Sequence, residues 1–340
     1  MKSCIQVFSR WLTSLYDWWL HWQSRWQKRR IWNDLPQWIA SRRHRCIWVA
    51  TVNFCNAKCV FCGQHRFKRP SGTMPASTFE SLAKQSYAMG IREADFTPPL
   101  GDPLLDGQLF ERAKHARVLG FQRLYLTTNG ILLSGLYRQV LESFDDIRIS
   151  IGGLDSGSYR EAYGVNKFDQ MWDGLTSLIQ ENSLRIEPRR IHIFFRSKNT
   201  ASEIVLNARF KALQNKFVTV EFTNRYDNWG GSVKESDLIG DMKPRTPPKK
   251  SGVPCRGLSH YFVEHQGNVR LCGCRFLKTE DDGLVVGNVN NTPLADILTG
   301  PRIIEVMEKF KSGESSGLPD VCRDCTLYRP MTTSFLKAHA

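Results

Sequence analysis

Three cysteines stand close together in the sequence, separated by three and then by two residues. They are Cys55, Cys59 and Cys62. Clustered thiolates bind metals, and each iron of a [4Fe–4S] cluster needs one external ligand. Three cysteines would leave one iron open to a bound molecule. A structural zinc takes four closed ligands, which His65 would complete. The spacing favours the cluster, with zinc as the alternative.

Five further cysteines lie in the last quarter of the chain. They are Cys255, Cys272, Cys322 and Cys325, together with Cys274 as a fifth. Four thiolates suit either a fully ligated cluster or a structural zinc. Disulfide scaffolds are usually short secreted chains, whereas this one has 340 residues and no signal-peptide pattern. The cysteines therefore indicate metal binding.

Composition is that of a globular protein with a substantial core, since 41% of the residues are hydrophobic. The formal net charge is +14, which fits either an acidic partner (phosphate, nucleic acid or an anionic membrane) or simply a basic enzyme. No run of apolar residues is long enough to span a membrane. The length predicts one large domain with a satellite, or two domains.

Residues 1–45 form a distinct segment that is rich in tryptophan and basic side chains. They contain seven of the ten tryptophans and nine Lys or Arg against two Asp. Trp11, Leu15, Trp18, Trp22 and Trp26 recur at helical spacing, which predicts a basic amphipathic helix. Such a helix packs on its own protein, docks a partner or lies in a membrane interface. Periodicity alone does not separate these alternatives.

Residues 46–231 alternate short β-rich runs with helical segments, one of them at about 107–119. The predicted strands are Ile47–Phe54, Glu93–Thr97, Arg123–Thr127, Asp146–Ile151, Ile191–Arg196 and Val218–Thr223. Six strands that alternate with helices imply parallel pairing, and we predict an α/β fold with an open, partial (β/α)6 barrel. Chemistry in such folds lies at the carboxyl ends of the strands.

The remaining chain divides into two parts by composition. Residues 232–254 are rich in Pro, Lys and Gly and are predicted to form a linker. Residues 255–340 are predicted to form a small α+β domain with a helix near Pro301–Phe310.

With these elements, the chain resembles the radical S-adenosylmethionine superfamily. Leu100-Gly101-Asp102-Pro103 resembles the turn whose backbone binds the methionine amino group in that family, and Thr127–Gly130 resembles the segment that ends its third strand. The resemblance implies that the three first cysteines hold a [4Fe–4S] cluster, on which S-adenosylmethionine is cleaved to a 5′-deoxyadenosyl radical. The cofactor-binding residues that it implies are Phe61, Gly101, Asp102, Pro103, Asn129, Ser150 and Arg196.

Ser150 matches the position whose hydroxyl meets the ribose or the carboxylate. Arg196 resembles a carboxylate-pairing arginine, a task that suits its planar guanidinium. In isolation, each would be a routine polar residue at the end of a strand. Their order behind the cysteines favours the functional interpretation.

The late cysteines resemble the SPASM or twitch domain of the same superfamily. Gly267 stands five residues before Cys272, Cys322 and Cys325 form a Cys-x2-Cys pair, and Gly287-Asn288-Val289 follows the family pattern. The resemblance implies one auxiliary [4Fe–4S] cluster on Cys255, Cys272, Cys322 and Cys325, with structural zinc as the alternative. Cys274 would then replace Cys272 as a ligand, donate a hydrogen atom to a substrate radical, or do neither.

An auxiliary cluster without an open iron favours oxidation, since it can accept or relay an electron. The single twitch-like cluster resembles that of an aminocyclitol dehydrogenase in the superfamily. This resemblance implies an oxidoreductase that dehydrogenates or epimerises a small molecule such as a sugar or aminocyclitol. Oxidation needs a base, for which Glu221, Asp227 and Asp95 are candidates. The alternatives are a peptide-modifying enzyme, for which residues 1–45 are too few to form the expected leader-peptide domain, and an electron carrier without turnover.

The expected partners are a small-molecule or peptide substrate and an external reductant of the flavodoxin or ferredoxin type. A nucleic acid is not expected. The expected location is the cytoplasm, with docking of residues 1–45 to a membrane surface or a protein as an additional possibility.

Overall fold

The computed structural model describes residues 25–41, 44–67, 70–273 and 283–338. Of the predicted amphipathic stripe, only Trp26 lies within the described residues, and Cys274 lies outside them.

Six parallel strands form the main part of the sheet, in the same order as in the chain. They are β1 (Cys46–Val49), β2 (Glu93–Phe96), β3 (Arg123–Thr128), β4 (Asp146–Ile151), β5 (Arg190–Phe195) and β6 (Val218–Phe222). The helices of this part are α1 (25–41), α2 (Ala76–Ala88), α3 (Leu109–Leu119), α4 (Leu133–Ser143), α5 (Ser156–Tyr163), α6 (Phe168–Ser183) and α7 (Ala201–Leu206). Strand β6 lies at one edge of the sheet. The prediction of an open, partial (β/α)6 barrel is confirmed.

Alternation along the strands separates the two faces of the sheet. In β4, Ile147, Ile149 and Ile151 are fully buried in the main core, whereas Arg148 and Ser150 point the other way and are half-buried. In a (β/α) barrel the helices cover the outer face, so the half-buried residues line the interior. Strand β4 thus contributes apolar residues to the core and polar ones to the inside of the barrel.

The first strand is shorter than predicted, because it ends at Val49 rather than at Phe54. Beyond it the backbone leaves the β1–β2 ladder and pairs with a neighbouring loop. Met74 N donates to Thr51 O at 2.7 Å, and Asn53 N donates to Gly72 O at 3.4 Å. The early end of the strand leaves the following residues, including the three cysteines, in a loop at the carboxyl end of the sheet.

The segment after β6 is packed against the protein. It contains a two-stranded parallel pair, β7 (Arg225–Tyr226) and β8 (Lys243–Pro244). Val233, Met242 and Val253 within it are buried. The residues predicted as a linker therefore contribute apolar side chains to the interior.

The C-terminal part extends the barrel sheet. Strand β9 (Tyr261–Val263) pairs in parallel with β1, and β10 (Asn268–Leu271) and β11 (Val285–Asn288) continue the sheet with antiparallel pairing. Its described residues also form four α-helices: α8 (Leu294–Thr299), α9 (Pro301–Glu308), α10 (Asp320–Arg323) and α11 (Thr333–Ala338). The fold has the predicted α+β composition here, and one sheet runs through both parts.

Helix α1 packs its apolar side on the body of the protein. Leu35 and Trp38 are buried in the core, and Trp32 Nε1 donates to Gly252 O at 3.0 Å. Trp26 is different, because 49% of its surface is exposed and the Arg30 guanidinium lies over its ring. No helix in the described ranges is long and apolar enough to cross a membrane.

Candidate active site

The loop after β1 brings Cys55, Cys59 and Cys62 together. Burial raises the pKa of Cys59 well above its usual value, and the nearby thiols of Cys62 and Cys55 contribute smaller increases. The pKa of Cys55 is raised to about 11, mainly by burial and to a smaller extent by the Asp102 carboxylate. The loop also supplies a donor to sulfur, since Gln64 N lies 3.4 Å from Cys62 Sγ. Three mutually close thiols thus lie at the carboxyl end of the sheet.

These buried thiols fit the cluster that the sequence predicts. Neutral thiols are favoured in the protein alone, because burial and mutual repulsion oppose three thiolates. A cationic cluster that binds them as thiolates removes this penalty. The donor set therefore matches the three external ligands that such a cluster would take from this loop.

Asp102 ties the predicted cofactor turn to the end of β3. Its carboxylate is 2% exposed and accepts hydrogen bonds from Leu104 N at 3.0 Å, Asn129 N at 2.7 Å and the Thr128 hydroxyl at 2.9 Å. Burial raises the pKa of this carboxyl, and the hydrogen bonds act in the opposite direction. The carboxylate is fully engaged by the protein, so the backbone of the turn is the part available to a cofactor.

Gly101 and Pro103 shape the same turn. Gly101 has φ of 109°, and a Cβ there would lie 3.0 Å from the carbonyl oxygens of Val52 and Phe54. Asp102 N donates to Phe54 O at 3.0 Å, while buried Pro103 begins a short 3-10 helix. Only glycine fits this close approach, which joins the turn to the chain just before Cys55.

Asn129 links the end of β3 to the cysteine loop. Its side-chain amide donates to Asn56 Oδ1 at 2.7 Å and lies 3.5 Å from Cys55 Sγ. Its Oδ1 accepts from Ile131 N at 2.9 Å, which fixes the orientation of the amide. Asn129 thus lies directly beside the first cysteine group.

Ser150, Arg196 and Phe61 meet at the ends of β4 and β5. The hydroxyls of Ser150 and Tyr163 lie 2.7 Å apart, and the Arg196 guanidinium lies 5.7 Å from the centre of the Phe61 ring. The charge of Arg196 lowers the pKa of Cys59, against the larger effect of burial. Phe61 also stacks on Tyr226 at 5.1 Å. The structure therefore places Phe61 and Arg196 beside the first cysteine group, and Ser150 contacts Tyr163, whose ring packs against Phe61.

The four late cysteines also come together. Burial raises the pKa of Cys322 well above its usual value, and the thiols of Cys272, Cys325 and Cys255 contribute smaller increases. A Cβ built on Gly257 would lie 3.1 Å from Cys272 Sγ and 3.5 Å from Cys255 Sγ. These residues are far apart in sequence, so the fold has assembled a second group of four thiols.

Backbone amides around the second group donate hydrogen bonds to the cysteine sulfur atoms. Cys255 Sγ accepts from Gly257 N and Arg329 N, each at 3.4 Å, and Cys325 Sγ accepts from Leu327 N at 3.4 Å. Donors of this kind tune the potential of iron–sulfur clusters. Cys272 adopts φ of 60°, which is uncommon for a residue other than glycine. Four thiols with amide donors fit a fully ligated cluster.

The predicted bases occupy different surroundings. Glu221 is exposed on β6, where its register partner is Phe194. Asp227 accepts from the Thr326 hydroxyl at 2.6 Å and from Trp229 N at 2.6 Å. Asp95 forms an ion pair with Arg148 at 2.8 Å. The hydrogen-donor role of Cys274 concerns a residue outside the described ranges.

Sequence reasoning missed a polar network inside the barrel. Arg148 contacts Asp95 at 2.8 Å and Asp146 at 3.4 Å, and His192 Nε2 lies 3.4 Å from Asp146. The network is partly accessible to solvent, since the Arg148 and His192 side chains are 28% and 33% exposed. Alternate polar residues in β2, β4 and β5 were the available signal, but one sequence does not reveal which strands place them opposite one another.

Comparison with known proteins supports both cysteine groups. The model of the radical SAM superfamily matches residues 49–184, and the SPASM model, an iron-sulfur cluster-binding domain, matches residues 255–326. The probable GTP 3′,8-cyclase of Sulfurisphaera tokodaii is 26% identical over 152 residues, which are 44% of this chain and 47% of that protein. The matched segment thus spans about half of the length of that curated relative.

Two solved structures share the fold at low sequence identity. Streptococcus suis SuiB bound to precursor peptide SuiA is 15% identical, with a TM-score of 0.59, over 84% of this chain and 70% of SuiB. The anSMEcpe structure with bound AdoMet is 16% identical, with a TM-score of 0.53, over 82% of this chain and 88% of that one. Residues 49–184 thus form a radical S-adenosylmethionine domain and residues 255–326 a SPASM iron–sulfur domain, with S-adenosylmethionine and [4Fe–4S] clusters as the cofactors.

Proposed function

We propose that this chain oxidises or epimerises a small polar molecule after abstracting a hydrogen atom from it. The first cluster is held by Cys55, Cys59 and Cys62, and the auxiliary cluster by Cys255, Cys272, Cys322 and Cys325. When bound, the first cluster and S-adenosylmethionine supply a one-electron reductive cleavage that yields a 5′-deoxyadenosyl radical.

The chain's own residues bind and orient S-adenosylmethionine. The Gly101–Pro103 turn offers its backbone to the methionine amino group, and Asp102 keeps this turn in place through β3. The Arg196 guanidinium forms no ion pair with a carboxylate among the described residues, and its planar fork suits the methionine carboxylate. Asn129, Phe61 and Ser150 surround the same position.

The polar network inside the barrel is the observation that carries the proposed substrate class, since Arg148 lies on the same face of β4 as Ser150, two residues nearer the amino end. An apolar substrate placed over Arg148 and His192 would bury their exposed polar atoms without partners, which costs free energy. A substrate with several hydroxyl or amino groups would replace the lost water contacts. A sugar or aminocyclitol meets this requirement.

Loss of a second electron requires an acceptor and a base. The auxiliary cluster is the acceptor that this chain provides, and an external reductant of the flavodoxin or ferredoxin type supplies the first cluster. Of the predicted bases, Glu221 is exposed on β6, on the same side of the sheet as His192, whose Nδ1 contacts the Thr219 hydroxyl. We propose Glu221 as the residue that accepts the substrate proton.

Deuterium transfer tests this function. Reconstituted protein, reduced with dithionite, is incubated with S-adenosylmethionine and a candidate labelled with deuterium at carbon. We expect deuterium in 5′-deoxyadenosine with a polyhydroxylated sugar or aminocyclitol, detected by mass spectrometry. An oxidised product would assign dehydrogenation, and solvent hydrogen at an inverted carbon would assign epimerisation.

The other substrate classes are outcomes of the same experiment. Transfer from a labelled peptide alone would replace our proposal with peptide modification, and transfer from labelled GTP alone would favour the activity named for the Sulfurisphaera relative. Absence of S-adenosylmethionine cleavage under every condition would favour an electron carrier.

We also propose that the protein works in the cytoplasm and docks on an anionic membrane surface through its N-terminal segment. The described start of α1 presents Arg25, Trp26 and Arg29 to solvent, with Lys28 half-exposed. A basic helix with an exposed tryptophan suits the interface of an anionic bilayer. Leu35 and Trp38, in the second half of α1, hold the helix to the body of the protein.

Charge reversal tests the membrane proposal. Each Lys or Arg near an anionic surface contributes roughly 1 kcal/mol, so changing Arg25, Lys28 and Arg29 to Glu should weaken vesicle binding on the order of 100-fold. Co-sedimentation with vesicles of phosphatidylcholine and phosphatidylglycerol measures the change.

A charge-matched control carries Glu at Arg160, Lys167 and Lys211, which are exposed elsewhere. Equal loss in both variants would mean that net charge alone attracts the protein. Absence of vesicle binding by the unsubstituted chain would remove the membrane from its partners.

A further inference from the structure

The three residues Asp227, Asn228 and Trp229 touch both cysteine groups. Trp229 Nε1 donates to the carbonyl oxygen of Phe61 at 2.8 Å, and Phe61 directly precedes Cys62. On the other side, Asn228 Nδ2 donates to the carbonyl oxygen of Asp324 at 2.9 Å. Asp324 directly precedes Cys325. Neighbouring side chains of one short segment thus bond to the peptide before a cysteine in each group.

Asp227 completes the attachment to the second group. Its Oδ1 accepts from the hydroxyl of Thr326 at 2.6 Å, and Thr326 directly follows Cys325. Its Oδ2 accepts from Trp229 N at 2.6 Å, which closes a tight turn within the segment. Both residues that flank Cys325 are therefore held by this segment.

The backbone of the segment is strained in a way that favours this arrangement. Trp229 has φ of 49°, which costs energy in a residue with a large side chain. Surrounding contacts must offset that cost, and the hydrogen bonds from Trp229 N and Nε1 are among them. With this backbone conformation, the Trp229 indole lies against the first cysteine loop and the Asn228 side chain lies against the second group.

The indole also packs in a small apolar cluster that is separate from the main core. This cluster contains Ala50, Phe67, Leu100 and Phe262, with Trp48 and Trp229 packed against it. Leu100 belongs to the predicted cofactor turn, and Phe262 lies in β9 of the C-terminal part. A Cβ on Gly63, the residue after Cys62, would lie 3.2 Å from the Trp229 ring. The contact between the two parts therefore includes apolar packing as well as hydrogen bonds.

We propose that the segment Asp227–Trp229 is a positioning element that fixes the distance and orientation between the two iron–sulfur clusters. The proposal rests on the cysteine assignments of the proposed function. Electron exchange between the clusters, in which one is oxidised by one electron and the other reduced by one, depends on this fixed separation. No proton or covalent bond changes in that step, and the electron enters from the external reductant.

Pulsed electron paramagnetic resonance tests the proposal without relying on turnover. With both clusters reduced by dithionite, each is paramagnetic, and their magnetic interaction reports their separation. The test variant combines Trp229→Phe, which keeps a ring and removes the indole N–H, with Asn228→Leu, which removes the amide. We expect its iron content to stay at about eight per chain, and the inter-cluster distance distribution to broaden relative to that of the unsubstituted protein.

Trp32→Phe is the matched control, because Trp32 Nε1 also donates to a backbone carbonyl, that of Gly252, at 3.0 Å. We expect this variant to keep the distribution of the unsubstituted protein. An unchanged distribution in the double variant, or equal broadening in the control, would overturn the proposal. If the double variant loses iron, the single Trp229→Phe variant decides by the same measurement.

The unsubstituted chain separates this proposal from the one on which it rests. An iron content well below eight there, or no cleavage of S-adenosylmethionine, would refute the cluster assignments themselves. If both clusters are intact and their separation does not change when the Asp227–Trp229 segment is substituted, only the positioning role is refuted.

Discussion

Replacing Cys59 with alanine is expected to abolish the cleavage of S-adenosylmethionine and to remove about four of about eight irons per chain. Cys59 is buried with the thiols of Cys55 and Cys62 beside it. Two thiolates hold a four-iron cluster poorly, and without the cluster no electron reaches the sulfonium. Iron analysis and chromatographic detection of 5′-deoxyadenosine measure the two effects.

Cys322→Ala is the matched comparison, since Cys322 lies in the second group of buried thiols. It should also lose about four irons per chain but retain cleavage of S-adenosylmethionine, while net oxidation of substrate falls. Cys46→Ala, in a strand outside both groups, should change neither quantity. Retained cleavage in Cys59→Ala would mean that the first site has been assigned wrongly, and bound zinc in place of iron would favour the alternative metal.

Replacing Asp102 with alanine is expected to weaken both the fold and the binding of S-adenosylmethionine. The substitution leaves Leu104 N, Asn129 N and the Thr128 hydroxyl without their buried acceptor. Since each unsatisfied donor costs roughly 1–3 kcal/mol, the free energy of unfolding should fall by about 3 kcal/mol or more. The turn and the end of β3 then separate, so the dissociation constant of S-adenosylmethionine should rise. Urea denaturation and calorimetric titration measure the two changes.

Asp145→Ala is the control for Asp102→Ala. Asp145 accepts from Leu124 N at 2.8 Å and from Arg189 at 3.1 Å, just before β4 and thus at the amino end of the strands. Its loss should lower stability while the affinity for S-adenosylmethionine stays unchanged in the folded protein. Equal losses of affinity in the two variants would show that global destabilisation, rather than the turn, weakens binding.

The fold, and the proximity of the described cysteines within each group, were predictable from the sequence for physical reasons. Strands buried on one face show alternation, as in Asp146–Ile151, whose bounds match the prediction at both ends. Closely spaced cysteines in a long chain are typical of metal sites, so their spacing carries chemical information. The aromatic residue Phe61 and the turn Gly101–Pro103 stand at fixed positions after strands, which made them recognisable.

Contacts between distant segments were not predictable in the same way. Asp102 was predicted as part of a cofactor-binding turn, but the sequence did not reveal that its carboxylate bonds to Leu104, Thr128 and Asn129. The hydrogen bond from Trp229 to Phe61 joins residues 168 positions apart. No local propensity encodes such a pair, and a single sequence does not reveal covariation between its members. Strand β1 was predicted too long because Ala50–Phe54 is as apolar as a strand but pairs with a loop.

The pairing of β9 with β1 has a consequence for how this protein unfolds. Trp48 and Val49 face Phe262 and Val263 across a shared ladder, so backbone hydrogen bonds cross from the barrel to the C-terminal part. Segments joined in one sheet tend to open as one cooperative unit, and amide protons along β1 then exchange only when both parts open. Removal of the C-terminal part would leave β1 as a bare sheet edge, a template for aggregation. The auxiliary-cluster part is thus a structural completion of the barrel rather than a detachable module.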